Sequence, residues 1–225
     1  MHLETEWLMH LIATIELDKG FSKDFNREVI KEITKKIKAQ AETIRSTITL
    51  EIRKYVREAL TSAPEYQSIL SGDVRAQLGI PNPDARIITI IDTWVSNIEV
   101  KVKAAKNPFL TIDIGMIQDD YADVLSLPSA SYDYQSNRGG GTIPWLEWLL
   151  LRGIEKIVTR YEFTSGITKN SRTGMGFMIS KPRGFWQVPL GASGTAEDNF
   201  ALRALYNAQT HIDKIVEQAI KGAFK

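Results

Sequence analysis

Between residues 26 and 60 apolar side chains recur at Ile30, Ile33, Ile37, Ala41, Ile44, Ile48, Ile52, Tyr55 and Ala59. Steps of three and four sustained over that length predict one amphipathic helix. No Gly or Pro interrupts it; Gly20-Phe21-Ser22 precedes it, and Pro64 closes it, because a residue before proline is pushed out of helical geometry. At 1.5 Å per residue the helix would reach about 50 Å, more than a small domain needs to cover its own core. Part of it, with Ile37 and Ile44 on the apolar stripe, is therefore expected to pack on another chain.

Ahead of this helix, His10-Leu-Ile-Ala-Thr-Ile-Glu-Leu17 fits strand alternation and also, through Trp7, Leu8, Leu11, Ile12 and Ile15, a helical period. A short helix or an extended segment within an arm of residues 1–25 is the expectation. Behind the helix, short helices fill residues 64–96. Pro64 takes a first helical position in a segment running towards Gly72, Asp73-Val-Arg-Ala-Gln-Leu is stopped by Gly79, and Asn82-Pro83 opens a helix over 84–96.

Then the period changes. Ile98-Glu-Val-Lys-Val-Lys103 and Leu110-Thr-Ile-Asp-Ile-Gly-Met116 alternate strictly, with Asn107-Pro108 between them, and predict two half-buried strands in a hairpin or meander. Residues 126–142, rich in Ser, Pro, Asn, Gln, Tyr and Gly, read as a long loop of the kind that carries function or orders on binding. A short, very apolar helix over 143–151 follows, ending at Gly153. Residues 154–163, 174–179 and 185–188 read as three strands, the last two joined by a tight turn at Lys181-Pro-Arg-Gly184. Finally Thr195-Ala-Glu-Asp-Asn caps a C-terminal helix over 195–222. The order predicts an α+β fold: a long N-terminal amphipathic helix, short helices, a small mainly antiparallel β-sheet across 98–190 and a C-terminal helix, with residues 26–225 as a single domain.

Composition narrows the chemistry. The 225 residues include no cysteine, which removes disulfides, thiolate zinc sites, iron–sulfur clusters and cysteine nucleophiles. With 28 Lys+Arg against 27 Asp+Glu the formal charge is +1, so there is no global footprint for nucleic acid and charge must be read locally. The acidic start Met1-His-Leu-Glu-Thr-Glu, with His10 and Glu16 in the first apolar stretch, predicts neither export nor membrane spanning. Residues 26–60 hold nine basic side chains (Arg27, Lys31, Lys35, Lys36, Lys38, Arg45, Arg53, Lys54, Arg57) against five acidic ones. A solvated face with helix pairs such as Glu28 with Lys31 is the default reading, and a face for DNA or an acidic partner is the rival.

Candidate chemistry is sparse. Asp113, Asp119, Asp120, Asp123 and Asp133 lie in a window, residues 107–137, that holds no Lys or Arg. Clustered carboxylates can hold Mg²⁺ or Ca²⁺, yet Asp119 and Asp120 also stand where a helix over 118–125 would begin, a position that favours carboxylates. The calcium-loop pattern is missing, so no metal is assigned. Gly139-Gly-Gly141-Thr142 lacks the Lys-Ser/Thr pair of a phosphate cradle and reads as a loop tip. His2, His10 and His211 are scattered, and Ala192-Ser193-Gly lacks the glycine a nucleophile elbow needs. No catalytic residue and no cofactor are assigned. The default reading of Trp145 and Trp148 is core packing; the crowding of large apolar groups around every side of their helix points instead to burial by a neighbouring subunit. Tryptophan and arginine are the usual interface anchors, which adds Arg152, Arg183 and Trp186 as candidates.

Ile143-Pro-Trp-Leu-Glu-Trp-Leu-Leu-Leu-Arg-Gly153, Ser171-Arg-Thr-Gly-Met-Gly-Phe-Met178, Phe185-Trp-Gln-Val-Pro189 and Gly194-Thr-Ala-Glu-Asp-Asn-Phe200 together resemble segments of virion proteins of tailed bacteriophages. The sequence is most similar to the neck and tail-completion proteins at the head–tail junction, and Tyr55-Val-Arg-Glu-Ala-Leu-Thr-Ser-Ala-Pro-Glu-Tyr-Gln-Ser-Ile-Leu-Ser-Gly-Asp-Val-Arg75 belongs to the same pattern. The resemblance implies a non-enzymatic structural subunit, made in the host cytoplasm and placed in the virion. It would form a sixfold or twelvefold homo-oligomeric ring that joins and seals the tail to the head. Its implied neighbours are the head-connector and tail-tube or terminator proteins, with passive contact with passing DNA allowed and no membrane partner. Tail terminator, connector-adaptor and minor tail or baseplate roles are the rivals within that class. A divalent-metal-dependent hydrolase or nuclease using Asp113, Asp119, Asp120 and Asp123, and a DNA-binding module using the basic side of residues 26–60, are the rivals outside it.

Overall fold

The computed structural model describes residues 8–14, 23–104, 109–115, 120–136, 139–166, 171 and 173–224. It confirms an α+β chain. The elements are β1 (Leu8–Thr14), α1 (Lys23–Ser62), α2 (Pro64–Ser71), α3 (Asp73–Leu78), α4 (Pro83–Ser96), β2 (Glu99–Ala104), β3 (Phe109–Gly115), α5 (Ala122–Leu125), β4 (Tyr132–Ser136), β5 (Gly139–Ile143), α6 (Trp145–Leu150), β6 (Val158–Ser165), β7 (Gly176–Trp186) and α7 (Phe200–Ala223). The chain separates into two compact units where the sequence reads as one domain: Met1–Tyr55, Val95–Asp119 and Gln209–Lys225 form the first, Val56–Trp94 and Asp120–Ala208 the second.

The first unit joins an antiparallel three-stranded sheet, in the order β1-β3-β2, with most of α1 and the last turns of α7. Residues 8–14 are thus a strand, the extended option of the two open for the arm, and pair Leu8 opposite Gly115 through Thr14 opposite Phe109. The predicted pair at 98–103 and 110–116 is borne out as β2 and β3, with Val100 opposite Ile114 and Val102 opposite Ile112. α1 runs 40 residues. Ile37, Ile44, Ile48 and Ile52 on its stripe are buried, as are Ile112 and Ile114 of β3 and Ile212 and Val216 of α7. Burial of each such side chain contributes about 1.5–3 kcal/mol. Arg53 donates to the carbonyls of Ser96 (2.7 Å) and Ile98 (3.2 Å), a cation on carbonyls at a helix C-terminus. His211 stacks on Tyr55, ring centroids 4.1 Å apart.

In the second unit α2 begins with Pro64 at its first turn, α3 stops at Gly79 in the left-handed region (φ 65°), and α4 starts at Pro83, as the local signals predict. Trp94, Trp145, Tyr121 and Phe200 are among its largest buried side chains. α7 starts later than the expected 195, because its cap is Asn199: the buried side chain accepts from the Leu202 amide (3.2 Å) and donates to the Tyr121 hydroxyl (2.6 Å).

Two expectations are corrected here. Residues 126–142 are not a long loop: a 3-10 turn at Pro128–Ala130 leads into the β4–β5 hairpin. Glycine-rich composition hid the strand, but the Tyr134 ring lies against Gly141, where an added Cβ would sit 3.1 Å from it, so small residues are what the pairing requires there. Residues 181–184 are not a turn between strands either. Tyr161 faces Ser180 and Thr159 faces Phe185, so Lys181-Pro-Arg-Gly184 bulges opposite the single residue Arg160 while the chain keeps the same partner strand. A bulge accepts the proline that an interior ladder position would not.

Candidate interaction surface

α6 shows where the sequence-flagged aromatics go. Trp145, Leu146, Leu149 and Leu150 are buried by the chain itself, Trp148 is half-buried, and the Trp145 indole donates to the Ser129 carbonyl (2.8 Å). Trp186, 4% exposed, donates to Gln77 Oε1 (2.8 Å) and packs its ring 5.8 Å from that of Trp148. Ile37 and Ile44 are equally enclosed. Of the seven expected contact residues, Trp145, Trp186, Ile37 and Ile44 are therefore core residues and offer no free surface; a one-dimensional count of apolar groups cannot tell which of them the same chain will cover. Arg152 is exposed but engaged with Glu155 (2.9 Å), a hydrogen bond and charge that hold the guanidinium above its ordinary range. Arg183 alone stands exposed on the bulge without an ion-pair partner among the described residues.

Around this core, buried and half-buried polar groups tie separate segments together. Arg86 donates to the carbonyls of Pro128 (3.0 Å), Ser129 (3.3 Å) and Ser131, and the Tyr132 hydroxyl donates to the Leu78 carbonyl. Arg203 bonds Glu65 (3.0 Å) and Asp198 (2.9 Å). Burial opposes its charge, but those two carboxylates outweigh burial and hold the guanidinium above its ordinary range. Gly153 and Gly194 cross so closely that a Cβ on Gly194 would lie 2.6 Å from the Leu149 carbonyl oxygen. These contacts fix α6 and the segment before β4 in place. None of them assembles a nucleophile with a base.

The β6–β7 ribbon is the contrasting surface. It is a two-stranded sheet in which β7 is buried at its ends, Gly176 and Trp186, and exposed or half-buried between them. Phe177, Ile179 and Phe185 are exposed by 36%, 38% and 44%. Phe177 and Ile179, two residues apart, share one face. Arg160 sits in the left-handed region (φ 64°), unusual for a residue with a long side chain, and stands opposite the bulge that carries Lys181 and Arg183. Lys181 pairs with Glu162, and the Lys156 ammonium lies 4.5 Å from the centre of the Phe185 ring. Arg160, like Arg183, has no ion-pair partner among the described residues. Lys181-Pro-Arg-Gly184 followed by Phe185 carries the sequence signal for this surface, as a bulge in one strand rather than a turn between two.

The acidic window does not come together as a metal site. Asp113 on β3 pairs with Lys103 (3.2 Å), Asp120 accepts from the Ala122 amide (2.9 Å) at the start of α5, and Asp133 accepts from the Thr142 hydroxyl (2.6 Å). Asp119 lies outside the described residues. Among the described residues no group of three or more His, Asp or Glu side chains is placed to hold a metal ion, and no helix is long and apolar enough to cross a membrane. On the basic side of α1, Arg45 is engaged with Glu42, whose carboxyl that bond holds below its usual range; Arg57 is engaged with Asp92, and Arg53 with the two carbonyls. Comparison with protein-family models, curated proteins and solved structures gives no match.

Proposed function

We propose that this chain is a non-enzymatic structural subunit of a tailed-phage virion, which assembles as a ring at the head–tail junction and there joins and seals the tail to the head. The observation that carries the reading is the β6–β7 ribbon, which leaves Phe177, Ile179 and Phe185 partly exposed and Arg160 and Arg183 exposed. Aromatic and arginine side chains dominate the energetics of protein–protein contacts, so the surface suits a protein that acts by touching neighbours. The particular assembly comes from the resemblance to neck and tail-completion proteins carried by residues 143–153, 171–178, 185–189 and 194–200. A closed ring needs heterologous contacts, in which one surface of each subunit meets a different surface on the next. The ring is sixfold or twelvefold, with head-connector and tail-tube or terminator proteins on either side.

The test is a cryo-electron-microscopy map of purified particles. A ring of this chain at the head–tail junction is the expected result, and the proteins above and below it distinguish neck, terminator and connector-adaptor roles. A junction whose density holds other chains only would overturn the proposal.

A further inference from the structure

The proposed ring leaves open which surface of one subunit meets which surface of the next, and the charge layout of the second unit answers that. Among the described residues of 154–186 the basic side chains are Lys156, Arg160, Lys181 and Arg183, against the acidic Glu155 and Glu162. Residues 120–137 carry Asp120, Asp123 and Asp133 and no Lys or Arg. A chain whose formal charge is only +1 thus concentrates opposite charges on two separate segments of one unit. On the basic segment, two guanidiniums at an exposed bulge flank partly exposed apolar groups. On the acidic one, Asp120 and Asp133 are exposed and accept hydrogen bonds from neutral groups.

We propose that the exposed β6–β7 ribbon, through Arg160, Arg183, Phe177, Ile179 and Phe185, docks on the acidic 120–136 segment of a second copy of this chain. The two surfaces differ, so the contact is head-to-tail: each copy presents a basic ribbon to one neighbour and an acidic segment to the other, which is what a ring requires and a twofold dimer does not. Charge complementarity sets register and discourages ribbon-to-ribbon pairing, while Phe177 and Ile179, which share one face, supply apolar contact and Phe185 adds an aromatic ring beside Arg183. The left-handed Arg160 fits this role, since a bulge redirects side chains away from the ladder and backbone strain is kept where function uses it. This inference rests on the ring reading, but names the surfaces.

A charge-swap experiment tests it. One variant carries Arg160→Asp and Arg183→Asp, aspartate being tolerated in the left-handed region; the other carries Asp120→Lys and Asp133→Lys. All four positions are exposed, and circular dichroism of each variant checks that the fold is kept. Sedimentation should show wild-type chain self-associating more weakly as salt rises, each variant associating at least about tenfold more weakly than wild type, and an equimolar mixture of the two recovering association. Because the chain has no cysteine, Arg183→Cys mixed with Asp133→Cys should give a disulfide-linked pair that neither forms alone. Oligomers that form equally well from both charge variants would overturn this contact and leave the ring standing. A wild-type chain that stays monomeric with no 133-to-183 cross-link would also overturn the contact, while the particle map decides the ring separately. Monomeric wild type that binds a short DNA duplex, with binding lost only in the Arg160→Asp/Arg183→Asp variant, would overturn it in favour of a polyanion site.

Discussion

α6 and β7 are both rich in large apolar residues, and they end in opposite environments. α6 puts four of its six side chains in the core and ties Trp145 to the Ser129 carbonyl. β7 is an 11-residue strand with a single partner strand, and it leaves Phe177, Ile179 and Phe185 partly exposed. α6 is the denser of the two in large apolar residues, five of six positions against five of 11, and the cover each receives differs as well. The chain buries four of the six α6 side chains and leaves Glu147 and Trp148 half-buried, whereas on β7 it buries Gly176 and Trp186 at the two ends and leaves the residues between them exposed or half-buried. Surface for partners is therefore expected on the ribbon rather than on the helix.

The sharpest way to break that comparison is at α6. Trp145→Ala should lower stability by about 3–5 kcal/mol, combining lost burial, a cavity and the lost indole hydrogen bond to Ser129, whose carbonyl keeps Arg86 as a donor, read as a shift of the urea midpoint. A loss under about 1 kcal/mol would mean that α6 is not a buried element. Next comes the backbone crossing beside it. Gly194→Ala places a methyl group 2.6 Å from the Leu149 carbonyl oxygen, and a destabilisation of about 2 kcal/mol is expected from the same measurement. The ribbon should be less sensitive: Phe185→Ser, which loses the Lys156 contact and partial burial, lowers stability by about 1 kcal/mol yet reduces self-association in sedimentation. Equal effects on stability at Trp145 and Phe185 would erase the distinction.

The smallest expected effect lies on α7, outside both elements. The hydrogen bond from Lys221, with its charge, lowers the Glu217 carboxyl below the ordinary 4.5. A depressed folded value means that the pair's contribution is fully present above 4.5 and is lost as pH falls through the lower folded value. Glu217 is fully exposed, so solvent screening keeps this loss slight. Glu217→Gln should remove only that slight acid-side dependence from the helical circular-dichroism signal and leave the neutral-pH signal unchanged.

Elements whose formation depends on neighbours along the chain were legible from the sequence. The 3.6-residue stripe of α1, the proline at the start of α2, the glycine after α3, the Asn-Pro start of α4 and the strict alternation of β2 and β3 all act within a few residues. Each of these signals corresponds to an observed element to within a few positions. Where the signal depended on a partner elsewhere, it misled. Gly139-Gly-Gly141 looks like a loop until Tyr134 lies on it, and Lys181-Pro-Arg-Gly184 looks like a turn until Arg160 shows that β6 continues opposite both ends of it.

The interaction residues divide in the same way. The sequence by itself determined which residue types were available: tryptophans and arginines after residue 143, an acidic window without cations, and no cysteine. Only the tertiary structure decided that Trp145, Trp186, Ile37 and Ile44 are enclosed, that Arg152 is engaged with Glu155, and that Arg183 stands exposed beside Phe185. The reason is physical: hydrophobicity and charge are properties of a residue, while burial and pairing are properties of what the fold brings to within a few ångströms of it.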